Sequence, residues 1–146
     1  MFAELPVDEL TQLAPSFRVD SYLNGKKIVS EGEVSDEFFI LVEGRLAVKG
    51  KVAGENVEFL RLNEGDFFGE AALFKNAKRM ADVYAASTVT LLVLRSADFG
   101  KFVQTHPKTG INILSELCHL LFLRLQSSHQ QLKASQERAM LTWGKI

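Results

Sequence analysis

Cysteine is almost absent. Cys118 is the single thiol in 146 residues, which excludes an internal disulfide framework and any multi-cysteine zinc site and fits a reducing, cytoplasmic compartment. An excess of charge is absent too: 17 Lys and Arg stand against 18 Asp and Glu, for a net charge of −1. No global basic field therefore draws the chain to nucleic acid or to anionic lipid. No apolar run reaches the roughly 18 residues of a membrane span. Met1-Phe2-Ala3-Glu4-Leu5-Pro6 lacks the charged start and apolar stretch of a signal peptide. Repeats, low-complexity segments and linkers are missing as well. What is present, 47% hydrophobic and 24% charged residues, describes one globular domain.

The hydrophobic pattern changes period twice along the chain. A short helix is expected over Val7 to Ala14, with Leu5, Leu10 and Leu13 on one face and Pro15 ending it. From Phe17 to Arg95 come short runs rich in Val, Ile, Leu and Phe, separated by turns such as Asn24-Gly25, Glu43-Gly44 and Glu64-Gly65-Asp66. The runs Phe17–Leu23, Lys27–Ser30, Phe38–Val42, Leu46–Lys49, Val57–Leu62, Met80–Ala86 and Thr90–Leu94 read as strands, and about eight at this spacing argue for an all-β barrel or jelly roll. Ser96-Ala97-Asp98 opens a helix that His106-Pro107 interrupts. A longer helix is expected from Thr109 to Met140. Its first half is apolar all round and must be covered on two sides. A 3-4 spacing through Leu114, Cys118, Leu121, Leu125, Ser128, Leu132, Ser135 and Ala139 draws a seam like that of a two-stranded coiled coil. The alternative is a helix packed wholly on its own domain. The expected division is 1–108 for the β-roll with its flanking helices and 109–146 for a dimerising helix of the same domain.

Chemistry concentrates between Gly65 and Val83, in the run Gly65-Asp66-Phe67-Phe68-Gly69-Glu70-Ala71-Ala72-Leu73-Phe74-Lys75-Asn76-Ala77-Lys78-Arg79-Met80-Ala81-Asp82-Val83. A short helix opening at Glu70 to Ala72 aims free N–H groups at one point, which suits an anion. Arg79 re-enters the same region and can fork onto a carboxylate or phosphate. Glu70 offers acceptors only and so matches a hydroxyl donor. An anion beside a hydroxyl describes a sugar phosphate. Lys75 and Lys78 next to Arg79 form a basic cluster better read as a loop rim than as a nucleic-acid patch. Phe38, Phe39, Phe67, Phe68 and Phe74 are expected in the core.

An enzyme is disfavoured. A jelly-roll metal site needs two or three histidines inside the barrel, whereas His106, His119 and His129 all fall in the helical third, so no metal site is expected. Cys118 and His119 are adjacent on a helix and point about 100° apart.

The segment resembles the phosphate-binding cassette of the cyclic nucleotide-binding domain family. Phe68, Gly69, Glu70, Ala72, Leu73, Arg79, Ala81 and Val83 fall in register with it, supported upstream by Asn24-Gly25-Lys26-Lys27-Ile28, Glu31-Gly32, Asp36 to Gly44 and Gly65-Asp66. The resemblance covers residues from about 5 to 128. It implies that Glu70 accepts from the ribose 2′-hydroxyl, that Arg79 pairs with the cyclic phosphate, and that the N–H groups of Ala71, Ala72 and Met80 complete the anion cradle. Gly69 then lets the ribose approach, and Val48 and Phe59 match apolar positions on the base side. Many relatives carry Ser or Thr one or three positions after the arginine, where Met80 and Asp82 stand here. The missing hydroxyl at Asp82 weighs against cGMP, so cAMP is the expected ligand, with Asp82 facing solvent. Leu123-Arg124-Leu125-Gln126-Ser127-Ser128 resembles the dimer helix of the bacterial catabolite activator proteins, so Ser128, or Ser127 beside it, is expected to reach the base bound in a partner subunit.

The expected protein is thus a mainly β jelly roll (double-stranded β-helix) with a short N-terminal helix and a long C-terminal dimerisation helix. It is a cytoplasmic cAMP sensor without a metal, homodimeric, binding neither nucleic acid nor membrane by itself. About 18 residues follow Ser128, too few for a helix-turn-helix domain, so the output lies in a longer protein or a separate partner. The competing reading is a degenerate member of the same family that serves as a dimerisation or interaction scaffold.

Overall fold

The structure, a computed structural model, describes residues 7–143. Leu5 and the side chain of Leu10, expected on the face of the first helix, lie outside what is described. Helix α1 (Val7–Leu13) passes into a 3-10 turn (Ala14–Ser16) in which Pro15 sits at the first positions. Ten strands follow: β1 (Arg18–Tyr22), β2 (Lys27–Val29), β3 (Val34–Ser35), β4 (Glu37–Glu43), β5 (Leu46–Val52), β6 (Glu55–Leu62), β7 (Phe67–Phe68), β8 (Ala77–Lys78), β9 (Asp82–Ala85) and β10 (Val89–Arg95). Helices α2 (Ser96–Thr105) and α3 (Pro107–Trp143) close the chain. The strands form antiparallel sheets in the orders β1-β10-β4-β7 and β2-β9-β5-β6, with β3 paired to β8 at one end. This is the jelly roll with flanking helices that the strand spacing predicts.

Period-2 alternation on a few strands builds two cores at once. On β4, Phe39 and Leu41 point into the roll with Val29, Leu46, Leu62, Phe68, Val83, Val89 and Leu91. Phe38 and Ile40 point the other way, into a second cluster with Leu13, Phe67, Leu94, Phe99, Phe102, Ile113 and Leu117. The near-continuous apolar run of β4 exists because both of its faces are covered. Phe39 faces Phe68 across the ladder, their rings stacked at 4.5 Å, while Phe38 and Phe67 meet at 5.7 Å under the helices.

The differences from expectation have local causes. The two-residue strands β3, β7 and β8 are too short to show a period. Met80 is not in a strand, since β9 begins at Asp82. Phe74 is 60% exposed rather than core, because the turn Glu70–Leu73 buries Ala72 and Leu73 and leaves the next residue outside. Helix α3 starts at Pro107, a residue pre-set for a helix start, and runs 37 residues, or about 55 Å.

The expected seam on α3 divides. Leu114 and Leu121 pack on the domain's own second core, whereas Leu125 and Leu132 are exposed. The apolar stripe left uncovered is offset and runs through Ile111, Phe122, Leu125 and Leu132, because Ile113, Leu117, Leu120 and Leu121 already face the roll. Leu117 is 1% exposed at the centre of the α3 contact. Truncating it by Leu117→Ala is expected to lower unfolding free energy by about 2–5 kcal/mol, read from denaturant midpoints of the two proteins.

Candidate functional site

The strand pair β3–β8 is short, yet it fixes the most unusual side chain of the molecule. Val34 and Ser35 pair with Lys78 and Ala77. The Arg79 amide then donates to the Glu33 carbonyl and the Gly32 amide to the Arg79 carbonyl, each at 2.8 Å. Pinned so, Arg79 turns its side chain inward and is 8% exposed. Its Nη2 donates to Ser35 Oγ at 2.6 Å and to the Glu37 carbonyl at 2.7 Å. The guanidinium lies over the Phe39 ring at 5.5 Å, and Nε is buried without a hydrogen-bond partner.

No carboxylate neutralises this cation among the described residues; the ion pairs all use exposed or half-exposed cations. Two of the acidic residues around it are engaged elsewhere. Glu37 is held by Arg18 at 2.9 Å and Asp36 by Arg95 at 3.4 Å. Burial holds the Arg79 guanidinium below its ordinary pKa, and Glu37, Glu33, Glu70 and Asp36 act through space in the opposite sense. An arginine does not shed its proton in a protein, so the site carries a buried positive charge that carboxylates balance only through space, a costly arrangement.

The turn after β7 supplies the facing wall. Gly69 has φ +78°, the left-handed region, and opens the 3-10 turn Glu70–Leu73. A side chain there would collide with Arg79 Nη1 and lie 2.8 Å from the Glu37 carbonyl. Glycine is thus required both by the backbone and by the guanidinium packed on it. The Ala72 amide donates to the Gly69 carbonyl at 3.1 Å, which removes it from the expected anion cradle in this conformation. In a 3-10 turn the preceding amides, at Glu70 and Ala71, come before the first such bond and stay available. Met80 is 92% exposed, so only its backbone faces the site.

The remaining expected residues are distributed by the fold. Val48 packs against the inner core of the roll. Phe59 is the extra residue of a bulge opposite Val48 and Lys49, and its ring fills the space that Gly50 leaves by having no side chain. Val48 and the Phe59 ring therefore share one face of the β5–β6 ladder, with Phe59 49% exposed at its rim. Asp82 does not stand free in solvent. It is half-buried on the outer side of β9, accepts from the Glu31 amide at 2.7 Å and lies 3.7 Å from Lys27 Nζ. Ser128 is exposed on α3 and is not brought to Arg79 within one chain. Lys75 and Lys78 are exposed, as a rim requires, while Arg79 leaves the rim for the interior. Among the described residues no group of His, Cys, Asp and Glu is placed to hold a metal, and no helix is long and apolar enough to cross a membrane.

Three participants escape sequence reasoning. Ser35 and the Glu37 carbonyl reach Arg79 across more than 40 residues of chain, and only the β3–β8 pairing could reveal them. Arg124 is the third. It stacks on the Phe67 ring at 3.9 Å and donates to the Phe67 carbonyl at 2.7 Å, beside a pocket of about 340 Å³ lined by Gly65, Asp66, Leu120, Leu123 and Ser127.

A family model described as the cyclic nucleotide-binding domain matches residues 19–106. A cAMP-dependent protein kinase regulatory subunit from Mycosarcoma maydis is 42% identical over 87 residues, 59% of this chain and 16% of the relative. A cGMP-dependent protein kinase from Caenorhabditis elegans is 36% identical over 106 residues, 70% of this chain and 14% of the relative. The chain thus spans about a sixth of the length of these curated relatives. The solved structure of the Thermus thermophilus catabolite activator protein has the same fold, with a TM-score of 0.74 at 22% identity, over 90% of this chain and 61% of that one.

Gly69→Ala is expected to lose about 1–2 kcal/mol of stability from the backbone conformation alone. Because the added methyl also meets the Arg79 guanidinium, the loss should be smaller in an Arg79→Ala background. Denaturant unfolding of the double-mutant cycle measures that difference.

Proposed function

The chain belongs to the cyclic nucleotide-binding domain family, and from that premise we propose that it is a cAMP sensor whose ligand state is passed to a dimerising C-terminal helix. The observation that carries the reading is Arg79, a buried guanidinium with neutral hydrogen-bond partners and an unpartnered Nε. A cyclic phosphodiester carries one negative charge, the complement this cation lacks. Glu70, already close enough to act on Arg79 through space, would accept from the ribose 2′-hydroxyl. Gly69 gives the sugar its approach, the free amides of Glu70 and Ala71 with that of Met80 extend the cradle, and Val48 with Phe59 line the base side.

Adenine is preferred on one ground. Met80 and Asp82 occupy the positions where a hydroxyl would serve guanine in similar proteins, and Asp82 is tied to Glu31 and Lys27 on the outer side of β9.

The uncovered stripe through Ile111, Phe122, Leu125 and Leu132 supports a second copy as the partner of α3. With residues 109–146 as the dimerising arm, Ser128 would meet the base held by the other subunit. Arg124, clamped on Phe67, ties that arm to the strand leading directly into Gly69 and Glu70. Ligand binding becomes a switch when it favours one of two arrangements of the helix. The output domain or partner it controls belongs to the chemistry of a longer chain or a separate protein.

Thermal melts with cAMP, cGMP and 5′-AMP test this directly. At 100-fold over Kd a ligand adds about 2.7 kcal/mol to the native state, expected as a midpoint rise of roughly 5–15 °C with cAMP. A smaller rise is expected with cGMP and none with 5′-AMP. No shift with any nucleotide at millimolar concentration would favour the scaffold reading. Arg79→Met separates charge from fold. It should leave ligand-free stability within about 1 kcal/mol, since it removes an unpaired buried charge, and weaken cAMP binding by about 2–5 kcal/mol. Tight cAMP binding by this variant would overturn the site assignment.

A further inference from the structure

Ser35 lies outside the segment 65–83 that the sequence singles out, yet its hydroxyl is committed in a telling way. Oγ accepts from Arg79 Nη2 at 2.6 Å and from the Glu37 amide at 3.2 Å. A serine hydroxyl has two acceptor lone pairs and one proton to donate. Both acceptor positions are thus filled by N–H donors, and the proton has no acceptor among the described residues. It sits beside a cation whose counter-ion is missing, on a half-buried residue of β3.

We propose that Ser35 is a phosphate-recognition residue of this chain, donating its hydroxyl proton to an oxygen of the anion that Arg79 binds. The assignment rests on the nucleotide reading above and deepens it. The two positions after Arg79 at which a side-chain hydroxyl is missing are held by Met80, 92% exposed, and by Asp82, turned to Glu31 and Lys27. A carboxylate and a thioether donate nothing to a phosphate. The β3–β8 pairing brings a hydroxyl to the same guanidinium from the opposite strand. Its position is fixed from both sides, by the Glu37 amide through the backbone and by Nη2 through the ligand-binding side chain. A hydroxyl so oriented recognises a tetrahedral anion without adding charge. One arginine and one neutral donor then match a singly charged phosphodiester better than a doubly charged monoester.

The test is isothermal titration of wild type, Ser35→Ala and Ser35→Thr with cAMP and with its two diastereomeric phosphorothioates, alongside ligand-free melts. Loss of one hydrogen bond to a charged acceptor should weaken cAMP binding by about 10-fold or more in Ser35→Ala, with Ser35→Thr near wild type and both variants folded and cooperative in the ligand-free melts. Sulfur accepts hydrogen bonds poorly. The wild-type preference between the diastereomers should therefore narrow in Ser35→Ala, which a general loosening of the fold does not produce. Wild-type protein that fails to bind cAMP overturns the nucleotide reading itself. Wild-type binding with Ser35→Ala equal or tighter, or with an unaltered diastereomer preference, overturns the Ser35 assignment alone.

Discussion

One buried positive charge organises this molecule. Arg79 is held by a hydroxyl, a carbonyl and the face of a phenyl ring. All three stabilise a cation through dipoles or a quadrupole without neutralising it. Glu37, Glu33, Glu70 and Asp36 act on it only through space, and two of them, Glu37 and Asp36, are paired with Arg18 and Arg95. The result is a buried cation with no directly paired carboxylate among the described residues. The surrounding geometry follows from the same constraint. The β3–β8 pair exists to hold the arginine backbone, and Gly69 is glycine because the guanidinium occupies the space of a side chain.

The second organising feature is the use of both faces of β4. Its inward residues Phe39 and Leu41 close the roll, and its outward residues Phe38 and Ile40 carry α2 and α3. The carbonyl that holds Arg79, at Glu37, directly precedes Phe38 under the helices. The charge site and the helix layer therefore share a strand with no intervening loop. In a close-packed interior, displacement at one end of such a strand is felt by its neighbours.

The fold was legible because its signals are periodic. Short apolar runs such as Phe38–Val42 and Thr90–Leu94, evenly spaced with Gly-containing turns between them, are sufficient for a jelly roll, and the change to 3.6 periodicity after Arg95 locates the helices. The segment from Phe68 to Val83 is legible for another reason: Gly69, Glu70 and Arg79 stand in a register that resembles a known cassette, and the fold does bring Gly69 against Arg79. What escaped has no period and no register. Two-residue strands leave no alternation to detect. Ser35 is an ordinary serine until β3 lies beside β8. Phe74 looks like its buried neighbours, but a 3-10 turn presents successive residues to different sides, and Ala72 and Leu73 already fill the inside. The seam on α3 was drawn through every 3-4 position, whereas the roll claims Leu114 and Leu121 for itself and shifts the exposed stripe toward Phe122.

The two-residue strand β7 is where these features meet. Alternation sends Phe68 into the roll, stacked on the same Phe39 ring that lies beneath Arg79. It sends Phe67 outward beneath the guanidinium of Arg124. Two arginines thus sit on opposite sides of one short strand, each over a phenyl ring, and the backbone between the rings continues directly into Gly69 and Glu70. Arg124 also donates to the Phe67 carbonyl, so its hold is directional as well as dispersive, and most of α3 beyond it is exposed. Contiguity of this kind becomes coupling only when the element at its end has two arrangements for both sites to bias. Helix α3 is the element suited to that role: anchored through Ile113, Leu117 and Arg124, it carries alongside and past that anchor an apolar stripe that its own domain leaves uncovered.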